Sequence, residues 1–158
     1  MRKSLLAGAL VVGAVMVFSS SAVLAAENWL GTWKLNVEKS KYGPGPAPKS
    51  LTLKYEASQG LITFTSDGVS ADGKATHGTY SSKFDGKDVP WVGNPDADTS
   101  APKKTDDNSF ENVWKKGGKV TFTIKAVVSK DGKTYTVSQT GKNAKGDTVN
   151  IVAVYEKQ

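Results

Sequence analysis

After residue 26, apolar and polar residues alternate along most of the chain, which is the pattern of β-strands with one buried face and one wet face. The stretch 31–37 predicts the first strand, whose apolar face carries Gly31, Trp33, Leu35 and Val37. The longest alternation predicts the strongest strand, with apolar side chains at Val120, Phe122, Ile124, Ala126 and Val128. The last stretch, 148–156, is apolar on both faces, which predicts a strand that is covered on both sides.

Turn signals separate these stretches. Asp-Gly occurs at 67–68, 72–73, 85–86 and 131–132, and Gly117-Gly118 lies between two strand patterns. Both residue types tolerate positive φ, so these pairs favour tight turns. Two prolines weaken the strands that contain them: Pro90 predicts an edge strand or a bulge, and Pro102 predicts a break in 99–105.

The count is about nine or ten strands, and the sequence after residue 26 shows no convincing helix. Antiparallel strands joined by tight turns form an up-and-down meander, which hides its edges by closing on itself. The sequence therefore predicts an all-β fold, an antiparallel meander closed into a β-barrel of about 8–10 strands. An open two-sheet sandwich is the alternative.

The first 25 residues have the layout of a secretory signal peptide rather than of a folded element. Arg2 and Lys3 precede an apolar run over 5–18, and a small-residue exit ends at Ala25. The run is short for a bilayer span of about 20 residues, which disfavours a retained anchor. We expect a signal peptide at 1–25, a single domain at 26–158, and no stable membrane insertion after cleavage. The expected location is periplasmic or extracellular.

Composition excludes several kinds of partner and chemistry. Without Arg2 and Lys3, the chain has 19 lysines and no arginine against 15 acidic residues, so its net charge falls from +6 to +4. Nucleic-acid binding usually needs a basic stripe and often arginine, so no nucleic-acid partner is expected. The chain has no cysteine, which excludes disulfides, thiol nucleophiles and cysteine-ligated metals.

The first strand also carries a family resemblance. Gly31-Thr32-Trp33 resembles the G-x-W start of lipocalins and their calycin relatives, in which the tryptophan plugs the closed end of the barrel under a basic side chain from a late strand. Here the basic residues at hand are lysines, such as Lys157. The chain from GTWKLN to VAVYEK is similar to small exported bacterial domains described as lipocalin-like. Avidins also begin with an early G-x-W strand, but the sequence gives no way to place three tryptophans in one pocket.

The remaining motifs favour structural roles. His77 is the single histidine, no G-x-S-x-G elbow is present, and its strand face is polar, which predicts a solvated side chain. In 94–98, oxygen side chains at alternate positions resemble the start of a calcium loop, but the glycine and glutamate of that loop are missing. Asx side chains capping the local backbone are the favoured interpretation. The proline-rich stretch 43–48 predicts a linker, or alternatively a lid beside a ligand entrance. No catalytic residue, metal site or cofactor is predicted, and the chain is not expected to be an enzyme.

Aromatic residues on the inward faces are the candidate binding site. In a barrel they either fill the core or line a cavity. The sequence predicts ligand contacts for Tyr55, Phe64, Tyr80, Trp114, Phe122 and Tyr135. The expected function is that of an exported monomer that binds a small hydrophobic or amphipathic molecule. A structural or interaction module with a filled core is the alternative, followed by a calycin-type enzyme.

Overall fold

A computed structural model describes residues 27–143 and 145–158, which form ten strands and no helix. The strands are β1 (Gly31–Lys41), β2 (Ser50–Ser58), β3 (Leu61–Val69), β4 (Ala75–Ser82), β5 (Val89–Pro90), β6 (Thr99–Asp106), β7 (Ser109–Lys116), β8 (Lys119–Val128), β9 (Thr134–Lys142) and β10 (Thr148–Lys157). The predicted signal peptide lies outside the described residues. Within them, no helix is long and apolar enough to cross a membrane.

All ten strands belong to one antiparallel sheet, in the order β4-β3-β2-β1-β10-β9-β8-β7-β6-β5. The edge strands β4 and β5 approach each other, and Thr79 and Val92 exchange two backbone hydrogen bonds of 3.0 and 3.1 Å. A second bridge joins Asp85 to Lys103. The sheet is thus a nearly closed barrel, which confirms the predicted antiparallel meander and excludes the two-sheet sandwich.

Trp33 seals one end of this barrel. Its side chain is fully buried, and its indole Nε1 donates a hydrogen bond of 2.7 Å to the carbonyl oxygen of Trp29. Lys157, from the last strand, places its Nζ 4.4 Å from the centroid of the Trp33 ring and donates to the Leu30 carbonyl at 2.6 Å. A basic side chain therefore covers the tryptophan, as the resemblance implies. A cation over an indole face contributes about 0.5–2 kcal/mol, depending on its exposure to water.

Gly31 makes room for this cover. Its φ is +116°, and a Cβ built on it would lie 3.1 Å from both Cε and Nζ of Lys157. Any side chain here would strain the backbone and push against the lysine. The positive φ favours glycine at this position of the G-x-W motif, and the absence of a side chain leaves room for the end of Lys157.

A second lysine covers a second tryptophan beside the first. Lys104 Nζ lies 5.8 Å from the ring centroid of the fully buried Trp29. The same Nζ is 2.8 Å from carboxylate oxygens of Glu27 and Asp107. The closed end therefore consists of two stacked layers: buried indoles, and lysines held above them by carbonyls and carboxylates.

Three valines depart from the predicted faces. Val37, Val120 and Val152 are 40%, 61% and 40% exposed. The register of β1 with β10 shifts between Asn36 and Lys41, and that of β7 with β8 shifts between Trp114 and Lys115. A bulge redirects the side chains beyond it, so Val37 and Val120 leave the apolar face. Val152 faces outward because the barrel has a single wall, so the prediction that β10 is covered on both sides was wrong.

Two strand boundaries also differ from the predictions. Asp67-Gly68 does not turn the chain, since β3 continues to Val69. A Cβ at Gly68 would lie 2.4 Å from the Ser50 carbonyl, so this glycine permits close approach of neighbouring strands. Pro102 does not break β6: its carbonyl accepts from Gly86 N at 2.9 Å on the side away from β7. Because a residue's N and O lie on the same side of an antiparallel strand, its missing N–H costs no bond to β7.

The closed end yields a direct test. Trp33→Ala removes a fully buried indole, its hydrogen bond to Trp29 and the surface under Lys157, and we expect it to lower the free energy of unfolding by about 3–5 kcal/mol. Lys34→Ala is the matched control, because its side chain is exposed on the opposite face of the same strand. Urea denaturation of both variants measures the difference. Equal midpoints for Trp33→Ala and the unmutated protein would contradict the role of Trp33 as a plug.

Candidate ligand-binding site

The interior of the barrel contains a cavity of about 180 Å³. It begins at the level of Tyr55, whose register partner is Gly31 near the closed end, and extends along β2 to Leu51. Its lining residues are Leu51, Leu53, Tyr55, Phe64, Ser66, Tyr80, Trp91, Asn94, Phe110, Asn112, Trp114, Ile124, Tyr135, Val137, Gln139 and Tyr155. Neither Trp29 nor Trp33 is among them, so the cavity lies beyond these two tryptophans of the closed end.

Cross-strand pairing builds the aromatic wall. Tyr55 pairs with Phe64 and Phe64 with Tyr80 on three successive strands, and each pair of ring centroids is 4.9 Å apart. Trp91 continues the row, with its ring centroid 5.4 Å from Tyr80 and 4.5 Å from Trp114. Edge-to-face and offset contacts at these distances are the preferred arrangements of aromatic pairs. The wall is therefore a continuous belt of rings that crosses the seam between β4 and β5.

The structure brings most of the predicted site residues together. Five of the six line the cavity: Tyr55, Phe64, Tyr80, Trp114 and Tyr135. The sixth, Phe122, is only 1% exposed and packs its ring 5.5 Å from Trp114. It is not among the lining residues, so it contacts Trp114 without lining the cavity itself.

A pair of phenols sits at the floor of the cavity. The hydroxyls of Tyr55 and Tyr135 are 3.0 Å apart, and both side chains are buried. Burial raises the pKa of Tyr55, Tyr80, Tyr135 and Tyr155 well above the usual range of a phenol, and it raises the pKa of Tyr42 to about 12. Loss of hydration disfavours the phenolate, so these groups stay neutral at physiological pH.

Asn112 is a buried polar residue that the sequence reasoning missed. It is 3% exposed, and its Oδ1 accepts hydrogen bonds of 3.0 Å from both Ser100 Oγ and the Ala101 N–H. Its Nδ2 lies 3.4 Å from the hydroxyl oxygen of Tyr80. A signal was present in the sequence, because Asn112 interrupts the apolar face that Phe110 and Trp114 define on β7.

Trp91 was missed for a different reason. It follows the two-residue strand β5 and belongs to no alternating pattern, yet it is 7% exposed and joins the two halves of the belt. A Cβ on Gly78 would lie 3.0 Å from its Nε1, so the glycine makes space for the indole. This contact depends on the closing of the sheet, and no local sequence signal reports it. The structure places two tryptophans, Trp91 and Trp114, at the cavity.

Of the other sequence motifs, His77 and the stretch 43–48 lie away from the cavity, whereas Asn94 of the 94–98 motif is one of its lining residues. His77 Nδ1 is 2.6 Å from Asp67 Oδ1, but the two side chains are 60% and 63% exposed, which confirms a solvated histidine. In 94–98, Asn94 Oδ1 accepts the Asp96 N–H at 2.8 Å, which confirms the predicted capping role. Among the described residues, no three acidic, histidine or cysteine side chains converge as for a metal ion. No residue of the proline-rich stretch 43–48 lines the cavity, which favours the linker over the lid.

Comparison with known proteins adds little beyond the fold. No family model matches the chain, and no curated protein matches it. A zebrafish ileal bile acid-binding protein complexed with cholic acid matches with 10% identity and a TM-score of 0.48, over 83% of this chain and 98% of that one. A redesigned β-barrel bound to DFHBI matches with 11% identity and a TM-score of 0.46, over 84% and 98% of the two chains. A de novo fluorescence-activating barrel matches with 14% identity and a TM-score of 0.46, over 85% and 97%. The barrel assignment rests on this chain's own strand order.

The buried phenols predict an unusual alkaline titration. All five tyrosines have a folded-state pKa above the usual 10.0, so the folded protein keeps phenolic protons that the unfolded chain releases. Stability is therefore intact below pH 10 and falls as the pH rises from 10 through 12. Absorbance at 295 nm should show little tyrosinate in native protein at pH 10.5, and a transition centred near pH 10 in guanidinium. A native tyrosine that titrates near pH 10 would contradict the buried cluster.

Proposed function

We propose that the chain is an exported, monomeric binding protein that holds a small hydrophobic or amphipathic molecule inside its barrel. The observation that carries the proposal is the cavity, which combines aromatic and aliphatic walls with a few inward polar groups such as Asn112. Ligand sites in proteins typically have this composition, with apolar surface for affinity and placed polar groups for orientation. Binding of this kind requires no chemical step, so no enzymatic activity is proposed.

The volume of the cavity limits the size of the guest. At about 180 Å³ it is somewhat larger than the roughly 150 Å³ engineered cavity that binds benzene. A molecule with one aromatic ring and a short substituent matches this volume. Burial of its apolar surface contributes about 25 cal/mol per Å², from which the loss of translational and rotational freedom is subtracted.

Export and monomeric state are tested together with ligand occupancy by native mass spectrometry. Protein is purified from the exported fraction without detergent, and we expect the mass of the monomer that begins at Ala26. A reproducible extra mass that organic solvent removes would identify the occupant. A chain that retains residues 1–25, or that forms a stable oligomer, would contradict the corresponding part of the proposal.

Two matched substitutions test whether binding occurs in the cavity. Val137 lines it from β9, whereas Val152 points outward from the adjacent strand β10. Val137→Phe should fill part of the cavity and abolish the saturation transfer that toluene shows in ligand-observed NMR, while Val152→Phe should leave it unchanged. Toluene that binds neither variant nor the unmutated protein would contradict the binding function and favour a filled-core interaction module. Equal binding to both variants would place the site elsewhere.

A further inference from the structure

Two donors in the cavity wall lack a hydrogen-bond partner in the described part of the chain. Trp91 and Trp114 both line the cavity, and both indole Nε1 atoms are shielded from water without a hydrogen-bond partner among the described residues. An indole N–H can only donate. A buried donor without an acceptor is unfavourable, and a guest that supplies an acceptor removes this cost.

The amide side chains of the same wall differ: Gln139 makes no side-chain hydrogen bond among the described residues and offers an acceptor as well as donors, whereas the oxygen of Asn112 is engaged. Asn112 Oδ1 accepts two hydrogen bonds, from Ser100 Oγ and Ala101 N, while Nδ2 makes one long contact of 3.4 Å to Tyr80. A primary amide carries two N–H donors, so Asn112, which lines the cavity, keeps one N–H without a partner among the described residues. The Tyr55 and Tyr135 hydroxyls share one hydrogen bond of 3.0 Å, so one of the two phenols keeps its O–H as a further donor.

Charge is the second restriction. Among the described residues that line the cavity there is no lysine, aspartate, glutamate or histidine, and burial keeps the tyrosines protonated. An anion in this site would lose its hydration without gaining a cation, which is costly at the low dielectric of a protein interior. The wall therefore disfavours carboxylates and sulfonates although it offers donors.

The geometry of the aromatic rings is the third restriction on the guest. The planes of Trp91 and Trp114 are inclined at 86°, and those of Phe64 and Trp91 also at 86°. Faces and edges of aromatic rings therefore bound the same cavity, and a flat ring can pack against either. A planar guest fits this arrangement.

We propose that the cavity selects a neutral, planar aromatic molecule of about one ring that carries a hydrogen-bond acceptor, such as an aryl ketone. The inference rests on the proposed binding function and specifies its ligand class. The acceptor receives hydrogen bonds from the indole N–H of Trp91 or Trp114, with Asn112 as a further donor, while the ring packs among Phe64, Tyr80 and the indoles.

Three probes of nearly equal shape test the class: acetophenone, α-methylstyrene and benzoate. The first has a carbonyl acceptor, the second replaces that oxygen with a methylene group, and the third is an anion. Ligand-observed NMR titration at pH 7 measures the dissociation constant of each with the full folded domain. We expect acetophenone to bind at least about tenfold more tightly than benzoate, because the wall holds no cation.

Tryptophan-to-phenylalanine variants isolate the donors. Trp91→Phe and Trp114→Phe each remove one N–H and keep an aromatic ring. At one or both positions the affinity ratio of acetophenone to α-methylstyrene should fall about three- to tenfold, the contribution of one neutral hydrogen bond. Trp29→Phe is the matched control, because its Nε1 is also buried without a partner in the described chain but does not line the cavity. Its ratio should stay unchanged.

The outcomes separate this inference from the proposed function. If none of the three probes binds the unmutated protein, the binding function itself is wrong. If acetophenone and α-methylstyrene bind but both cavity variants keep the unmutated ratio, the function stands and the acceptor-based selection is overturned. Benzoate that binds as tightly as acetophenone overturns the requirement for a neutral guest. If the thermal melt shows that one tryptophan variant does not fold, the variant at the other tryptophan is used. The comparison of the three probes on the unmutated protein depends on neither variant.

Discussion

A sheet that closes into a barrel must join its two outermost strands, and the rest of this structure depends on how β4 and β5 do so. Between them, Thr79 and Val92 exchange one pair of backbone hydrogen bonds, far fewer than any full strand pair provides. Side chains supply the remaining contact. Trp91 inserts between Tyr80 and Trp114, and a Cβ at Gly93 would lie 2.1 Å from the His77 carbonyl, so the backbones approach closely only because glycine stands there.

Aromatic residues close one end of the barrel and surround a cavity farther along it. At one end, Trp29 and Trp33 are fully buried, and the cations of Lys104 and Lys157 lie over their rings. Farther along the barrel the rings stand around a void instead of filling it. The ring of Trp33 lies 5.2 Å from that of Tyr135 and the ring of Trp29 lies 5.5 Å from that of Phe110, so the closed end packs directly against two residues that line the void.

The alternation of apolar and polar residues along each strand predicted most of the fold. On β8, Phe122, Ile124, Ala126 and Val128 are buried as the alternation predicts, and the Gly117-Gly118 turn joins β7 to β8 as expected. Val120 departs because the bulge that redirects it arises from pairing with β7 and leaves no mark on the alternation itself. A bulge is a property of two strands, so a pattern read along one strand cannot report it.

The residues of the candidate site also differ in whether the pattern of a single strand could predict them. Tyr55, Phe64 and Tyr80 were predictable because each stands on the apolar face of its own strand, and the meander brings those faces into register. Trp91 was not, since its place in the belt exists only after the edges meet. Asn112 lies between these cases, because a lone amide on an apolar face is visible in the sequence while its partners Ser100 and Tyr80 are not.

The pairing of β1 with β10 has a consequence for the chain's connectivity. Trp33 and Lys157 are register partners although they stand 124 residues apart, and the backbone N–H of Gln158 donates to the carbonyl oxygen of Thr32 at 3.0 Å. The start and end of the domain are therefore adjacent, which is the geometry that tolerates circular permutation. Joining them with a short linker and opening the chain at the exposed Gly117-Gly118 turn would turn the most distant contact of the fold into a local hairpin. The permutation would change the entropy of loop closure and leave the packing of the barrel as it is. The rate of folding would therefore change.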